Sequence, residues 1–283
     1  MRKWRPAQTG REATVQHDSI SHGAVKTEEE HRRDICTAGR WIHERGYVAS
    51  TDGNISVRLG PDRILISATA MCKSMMEPDD LIIVDREGRR VSGMRQPSSE
   101  LAMHLLIYRL RPDVNAVCHA HPPTATGYAA AGVPLDKPIL CELVIGLGRI
   151  PVAPYGAPGT PELSAEMEPF VQGHDAILMA NHGVVTYGPD LLTAFLRMET
   201  TEHFARVSLV TELLGKQVLL SGRDVEKLEA ARARYSASTQ SAAPAAPADS
   251  ARSEAGPTER VTLTRRELEV LIDEAVRRDR TLR

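Results

Sequence analysis

The run Val117-Cys118-His119-Ala120-His121 limits what this chain can fold into more than any other stretch. It is apolar enough for a buried strand, and in a strand the side chains at i and i+2 share a face. Two imidazoles therefore stand side by side where their neighbours point to a core, and a core tolerates polar groups only when they are paired. They are either buried and hydrogen-bonded, or surface-exposed, or holding a metal; the spacing alone leaves all three open.

Around this run the sequence alternates strand and helix signals. "TEEEH" offers Thr27 as N-cap with Glu30 three residues on, a capping box. Ile35, Ala38, Trp41 and Ile42 then recur at helical spacing up to a stop at Gly46. Strands are expected over Ile55–Leu59, Arg63–Ser67 and Leu81–Asp85, divided by Gly60-Pro61 and Pro78-Asp79-Asp80. A helix over Glu100–Leu110 leads into the strand Val114–His121. Pro122 and Pro123 suit the first turn of a helix ending near Ala131. A short helix near Pro161, the strands Ala176–Ala180 and Val184–Tyr187, and a long helix over Asp190–Leu214 closed by Gly215 complete an α/β domain spanning residues 27–235. The N-terminal segment 1–26 has no apolar h-region and reads as a flexible lead-in, not a signal peptide.

Composition changes after that domain. Residues 236–260 are Ala/Ser/Pro-rich with no large apolar side chain, so they cannot bury enough surface to fold and read as a disordered linker. In residues 261–283, Thr264 and Glu267 form a second capping box. Leu268, Leu271, Ile272, Ala275 and Val276 follow the spacing of an amphipathic helix. By the flexible-chain rule the tether reaches about 25–30 Å, enough to present this helix beyond the domain.

The bulk numbers exclude several classes. With 35 Lys+Arg against 37 Asp+Glu, nothing argues for wrapping nucleic acid. No apolar stretch approaches the roughly 18 residues that span a bilayer. The four cysteines form no CxxC pair, which fits a reducing cytoplasm better than a secreted disulfide scaffold.

Other polar residues stand in unusual places. His182 lies in a turn after an apolar strand, with Gly183 behind it. Ser98, Ser99 and Glu100 stand at a helix start, and Gly53-Asn54 in a turn ahead of a strand. Taken singly, the serines are an ordinary N-cap and Gly53-Asn54 an ordinary turn. Together, three histidines with an open position describe a catalytic zinc site, though imidazoles also suit other divalent metals. Free amides at a helix start make an anion cradle, and Glu100 beside a cation and a phosphate is placed as acid or base.

GNIS, PSSE, HAH and NHG, in this order over about residues 30–235, resemble the class II aldolase/adducin family of the L-fuculose-1-phosphate aldolase type. The resemblance implies a single class II aldolase-type α/β/α domain with a central mixed, mainly antiparallel sheet. It also implies one zinc ion per subunit and a homotetramer with active sites at subunit boundaries. By motif, His119, His121 and His182 match the metal ligands and Glu100 the catalytic acid/base. Gly53, Asn54, Thr69, Ser98 and Ser99 match the phosphate binders, and Tyr235 falls near a C-terminal tyrosine that reaches a neighbouring site. The implied reaction is reversible cleavage of a (deoxy)ketose 1-phosphate, such as L-fuculose 1-phosphate, to dihydroxyacetone phosphate and an aldehyde such as lactaldehyde. A sugar-phosphate 4-epimerase, a methylthioribulose-1-phosphate dehydratase and a non-catalytic adducin-like binding module are the alternatives. Two positions depart from the pattern. The phosphate loop reads Ser67-Ala68-Thr69-Ala70 where the family usually carries a Gly, and an added Cβ disfavours positive φ. Leu140 stands where the fuculose enzyme has a tyrosine acid, with Glu142 or Tyr155 as replacements. The tail resembles encapsulation peptides, so a shell protein is the expected partner and the lumen of a bacterial microcompartment the expected location within the cytoplasm.

Overall fold

The computed structural model describes Ile20 and residues 26–241, with side chains up to residue 232. The lead-in expected over residues 1–26 is described only at Ile20 and Lys26, and Ile20 is buried in the core. The amphipathic segment 261–283 and the linker beyond Ser241 lie outside the described residues.

Helix α1 (Glu28–Glu44) starts as its capping box dictates: the Glu30 amide donates to Thr27 Oγ1 at 3.2 Å and the Thr27 amide to Glu30 Oε2 at 2.7 Å. Strands β1 (Asn54–Gly60), β2 (Arg63–Ile66), β3 (Ile82–Val84) and β4 (Arg90–Ser92) form an antiparallel meander. Then come α2 (Leu101–Leu110), β5 (Ala116–Ala120), α3 (Pro123–Ala131), α4 (Cys141–Gly146) and β6 (Val152–Ala153). Helix α5 (Pro161–Val171), β7 (Ala176–Met179), β8 (Gly183–Gly188), α6 (Leu191–Leu213) and α7 (Gly222–Ser241) complete the chain.

The eight strands make one sheet in the order β4-β3-β2-β1-β5-β8-β7-β6, antiparallel except for the β6–β7 pair. This is the mixed, mainly antiparallel sheet expected. Period-2 alternation divides each strand between two cores. Ile55, Val57, Leu65, Cys118 and Leu178 face α1, α3 and α6, with Phe195 and Phe204 among the packed residues. Ile64, Ile66, Val117, Ile177 and Val185 face α2 and α5. Burying a large apolar side chain is worth about 1.5–3 kcal/mol, so a sheet covered on both faces rewards its near-continuous apolar strands.

Four elements, β4, β6, α4 and α7, carried no sequence signal. Strand β4 is exposed throughout, β6 is two residues long, and α4 covers a single stretch of six. Helix α7 continues through Ser241, six residues into the Ala/Ser/Pro stretch expected to be unfolded from 236. No helix among the described residues is long and apolar enough to cross a membrane.

Candidate metal centre and active site

Sheet order brings the site together. Strands β1, β5 and β8 are neighbours, so Asn54 pairs with His119 and His119 with Val185. Alternation turns His119 to the face of Val117, toward α2, whose N-terminus carries Glu100. His121 follows the end of β5 with its amide on the Tyr47 carbonyl at 2.8 Å. His182 stands in the β7–β8 turn, where Asn181 takes φ 56°. Gly183 then meets the histidines at close range: a Cβ there would lie 2.4 Å from His121 Cδ2 and 2.8 Å from the Ala120 carbonyl.

The three rings form a triangle with centroids 4.8–5.1 Å apart. One ligand atom from each lies within 4.8 Å of the others. His119 Nδ1 is 2.8 Å from the Val184 carbonyl, an acceptor only, so the ring carries a proton there and, when neutral, turns the lone pair of Nε2 inward. That Nε2 lies 3.2 Å from His121 Nε2 and 3.1 Å from Glu100 Oε2. His182 Nε2 lies 3.1 Å from Glu100 Oε1, and His182 Nδ1 is buried with no hydrogen-bond partner among the described residues. Lone pairs turned inward on one another, with a ring nitrogen orphaned, fit a divalent cation. A carbonyl fixing the tautomer of a ligating imidazole is the usual support for one. Access is graded: the His119 side chain is fully buried, whereas His121 is 26 % exposed and Asp52, 3.6 Å from it, is 46 % exposed.

Electrostatics follow from this packing. Burial raises the Glu100 carboxyl, but the His119 and His182 imidazoles outweigh it and hold Glu100 well below the usual carboxylate range. Burial would lower His119, and Glu100 reverses that, leaving it raised. For His121 burial is reinforced by the two other rings and pushes it down to about 3.

The phosphate-binding candidates divide. Gly53 has φ +75°, and a Cβ there would lie 2.7 Å from the His119 carbonyl oxygen, so the turn presses against the metal-ligand strand. Ser98 is buried, and its Oγ accepts from the Glu100 amide at 3.2 Å in the turn that precedes α2. Thr69 and Ser99 are exposed. Asn54, expected at the phosphate, donates its Nδ2 to Glu100 Oε2 at 2.7 Å, and its Oδ1 lies 2.5 Å from His104 Nε2. The side chain orients the carboxylate. Ala70 keeps φ 53° without a glycine, because the Ala68–Pro97 bridge and the Thr69 amide on the Gln96 carbonyl hold the loop's path. Tyr235 falls on α7, and its side chain lies outside the described residues. Leu140 is the N-cap of α4; Glu142 lines a hollow with Tyr47, Glu199 and His203, and Tyr155 is exposed.

Two residues escaped the sequence reading. Lys73 is buried and ties the turn before Gly53 to the following loop, its Nζ donating to the Thr51 and Met71 carbonyls. Burial pushes it down to about 8. His104 is the other, four residues beyond Glu100 on the same helix face.

The α/β/α fold thus carries three histidines that could hold a metal ion, beside one buried carboxylate. Residues 33–209 match the model of the class II aldolase and adducin N-terminal domain, and the chain belongs to that family. It is 34% identical to a 3-oxo-tetronate 4-phosphate decarboxylase of Haemophilus influenzae over 68% of this chain and 92% of that one. It is likewise 34% identical to a methylthioribulose-1-phosphate dehydratase of Methylococcus capsulatus, over 60% of this chain and 88% of the other. Among solved structures, an L-fuculose 1-phosphate aldolase superposes with a TM-score of 0.67 at 28% identity, covering 73% of this chain and 98% of that one.

Proposed function

We propose that this protein is a metal-dependent lyase that reversibly cleaves a ketose 1-phosphate, such as L-fuculose 1-phosphate, to dihydroxyacetone phosphate and an aldehyde such as lactaldehyde. The observation that carries the reading is Glu100: an ionised carboxylate 3.1 Å from two of three converging imidazoles, with Oε1 left without a hydrogen-bond partner. Zinc, one ion per subunit, suits the His119, His121 and His182 donor set and supplies Lewis-acid stabilisation of charge building on the substrate's oxygens.

In the synthetic direction Glu100 accepts a proton from the carbon next to the ketone of dihydroxyacetone phosphate. In cleavage it returns the proton to that carbon. Gly53, Thr69, Ser98 and Ser99 are assigned the phosphate, and Asn54 the orientation of the carboxylate. Tyr235, reaching across a subunit boundary of a homotetramer, is assigned the proton at the aldehyde oxygen. The 34% identities to a decarboxylase and a dehydratase favour, as a second reading, loss of carbon dioxide or water from a related sugar phosphate at this site.

The test is a retro-aldol assay across fuculose, rhamnulose and deoxyribulose 1-phosphates, with product analysis and with and without chelator. Glu100→Gln is expected to keep its metal and lose about 10²–10⁴-fold in turnover, and His119→Ala to lose both. Full turnover in Glu100→Gln, or a product other than triose phosphate and aldehyde, refutes the assignment. For residues 261–283 we propose delivery to a microcompartment shell, supported by the spacer and the amphipathic spacing. Truncation after Ser241, which leaves α7 whole, should preserve turnover and abolish co-purification with shell protein; continued co-purification refutes it.

A further inference from the structure

Strand β1 and helix α2 mesh through two matched series. Asn54, Ser56 and Arg58 recur every second residue on the strand face opposite Ile55 and Val57. Glu100, His104 and Tyr108 recur every fourth residue along the helix. Two strand residues advance about 6.6–6.8 Å and four helix residues about 6 Å, so the series stay in step over their length. Glu100 meets Asn54, His104 lies between Asn54 and Ser56, and Tyr108 lies between Ser56 and Arg58. The distances are 2.7 Å for Asn54 Nδ2 to Glu100 Oε2, 2.5 Å for His104 Nε2 to Asn54 Oδ1, 2.7 Å for Ser56 Oγ to His104 Nδ1 and 2.8 Å for Ser56 Oγ to the Tyr108 hydroxyl. Arg58 closes the outer end, its guanidinium 4.8 Å from the Tyr108 ring centre.

Donor chemistry fixes the direction of every bond. The ionised carboxylate only accepts, so the Asn54 amide nitrogen faces it and the Asn54 oxygen faces His104. That oxygen only accepts, so His104 carries its proton on Nε2. The ring is fully buried and neutral, and burial pushes it down to about 3, so Nδ1 accepts from the Ser56 hydroxyl. With its proton engaged there, the Ser56 oxygen accepts from Tyr108.

We propose that His104 is a positioning residue for Glu100: the one-way chain Tyr108→Ser56→His104→Asn54→Glu100 anchors carboxylate oxygen Oε2 and leaves Oε1 as the proton-carrying oxygen. All five members are buried, and hydrogen bonds in series polarise one another. Oε1 has no partner from this chain of bonds; beside it stands only the His182 Nε2, at 3.1 Å. If the link at His104 is cut, the Asn54 oxygen loses its partner, and the amide is oriented only by its own bond to the carboxylate. The inference rests on the proposed role of Glu100 as proton carrier.

The full-length, metal-loaded enzyme tests it with His104→Phe, which removes donor and acceptor, and His104→Gln, which has an amide donor for Asn54 and an oxygen for Ser56. His104→Phe is expected to keep its metal content and its KM within about threefold. Its kcat should fall about 10–100-fold, the scale of a misplaced catalytic group. His104→Gln is expected to recover to within about fivefold of wild type. An unchanged His104→Phe, or a His104→Gln equally impaired, overturns the proposal, the latter because packing alone would explain it. Should His104→Phe fail to fold, Ser56→Ala takes its place with the same expected direction, and wild-type kinetics there overturn it. A wild type with no turnover on any ketose 1-phosphate instead defeats the functional reading. The chain is then tested on chelated protein by an unfolding cycle of Glu100→Gln with Ser56→Ala: losses smaller than additive support it, and strict additivity overturns it.

Discussion

Replacing Gly53 by alanine tests whether the turn ahead of β1 supports the metal ligands. Gly53 has φ +75°, where an L side chain costs about 1–2 kcal/mol. Its new Cβ would lie 2.7 Å from the His119 carbonyl oxygen and 2.8 Å from Val48 Cγ1. Val48 can rotate; the His119 carbonyl belongs to a central strand and cannot yield without dragging a ligand. Overpacking of this kind costs about 1–3 kcal/mol, so the total loss is about 2–5 kcal/mol. Gly46 is the control, with a matching φ of +68° and nothing within 4 Å of the added atom. Denaturant unfolding of both variants as metal-free protein separates the terms: Gly46→Ala should lose only the conformational part, and Gly53→Ala about 1–3 kcal/mol more. Metal titration should show Gly53→Ala weakened about 10–100-fold, the scale seen when support of a ligand is removed, with Gly46→Ala unchanged. Equal stability losses, or wild-type metal affinity in Gly53→Ala, would refute the claim that this turn braces the ligand strand.

Ala70→Gly should stabilise the protein by about 0.5–1 kcal/mol in denaturant unfolding, the left-handed cost of alanine less the backbone entropy of glycine. His104, neutral when folded with a pKa of about 3 against an ordinary 6.5, makes the unfolded chain take up a proton first as pH falls. Its contribution is complete above pH 6.5 and declines toward pH 3, so between pH 8 and 4.5 wild type should lose about 2–3 kcal/mol relative to His104→Gln, read by unfolding midpoints across pH. Thr69→Ala and Ser99→Ala should raise KM for a sugar phosphate several-fold with kcat nearly unchanged, as expected of groups that bind ground and transition state alike.

The convergence of the three histidines was legible because each carried a local anomaly. His119 and His121 share a face of an apolar strand, and His182 follows another strand in a turn whose Gly183 admits the approach of His121. The fold class was legible because buried strands and capped helices advertise themselves in periodicity: Thr27 with Glu30, Asp190 ahead of α6, the apolar runs of β5, β7 and β8. Strand β4 was silent because Arg90-Val91-Ser92 is exposed on both faces, and α7 because its helical pattern carries charge and alanine instead of an apolar stripe. The contact of Asn54 with the carboxylate was hidden for a different reason. Its partners Glu100 and His104 lie 46 and 50 residues away, and only the β1–α2 pairing turns a turn-type asparagine into the support of a carboxylate. The signal was present as two series, 54-56-58 and 100-104-108, legible once strand and helix are known to face each other.

The same division explains how one architecture can serve relatives named for decarboxylation, dehydration and aldol cleavage. Most of what surrounds the three histidines is buried and over-determined: a carbonyl holds His119 Nδ1, Gly183 admits the close approach of His121, and four side chains in series hold one oxygen of Glu100. These groups can manage charge and a proton beside a carbonyl whichever bond breaks. The residues left exposed, Asp52, Thr69 and Ser99, lie on loops at the ends of the elements that carry the buried groups. Loops on a rigid scaffold vary without disturbing the core, so selection of substrate can change there while the carboxylate keeps its geometry. A buried chain of this kind is costly wherever it is incomplete, which makes it a poor place for variation and a good place to fix the step that all these reactions share.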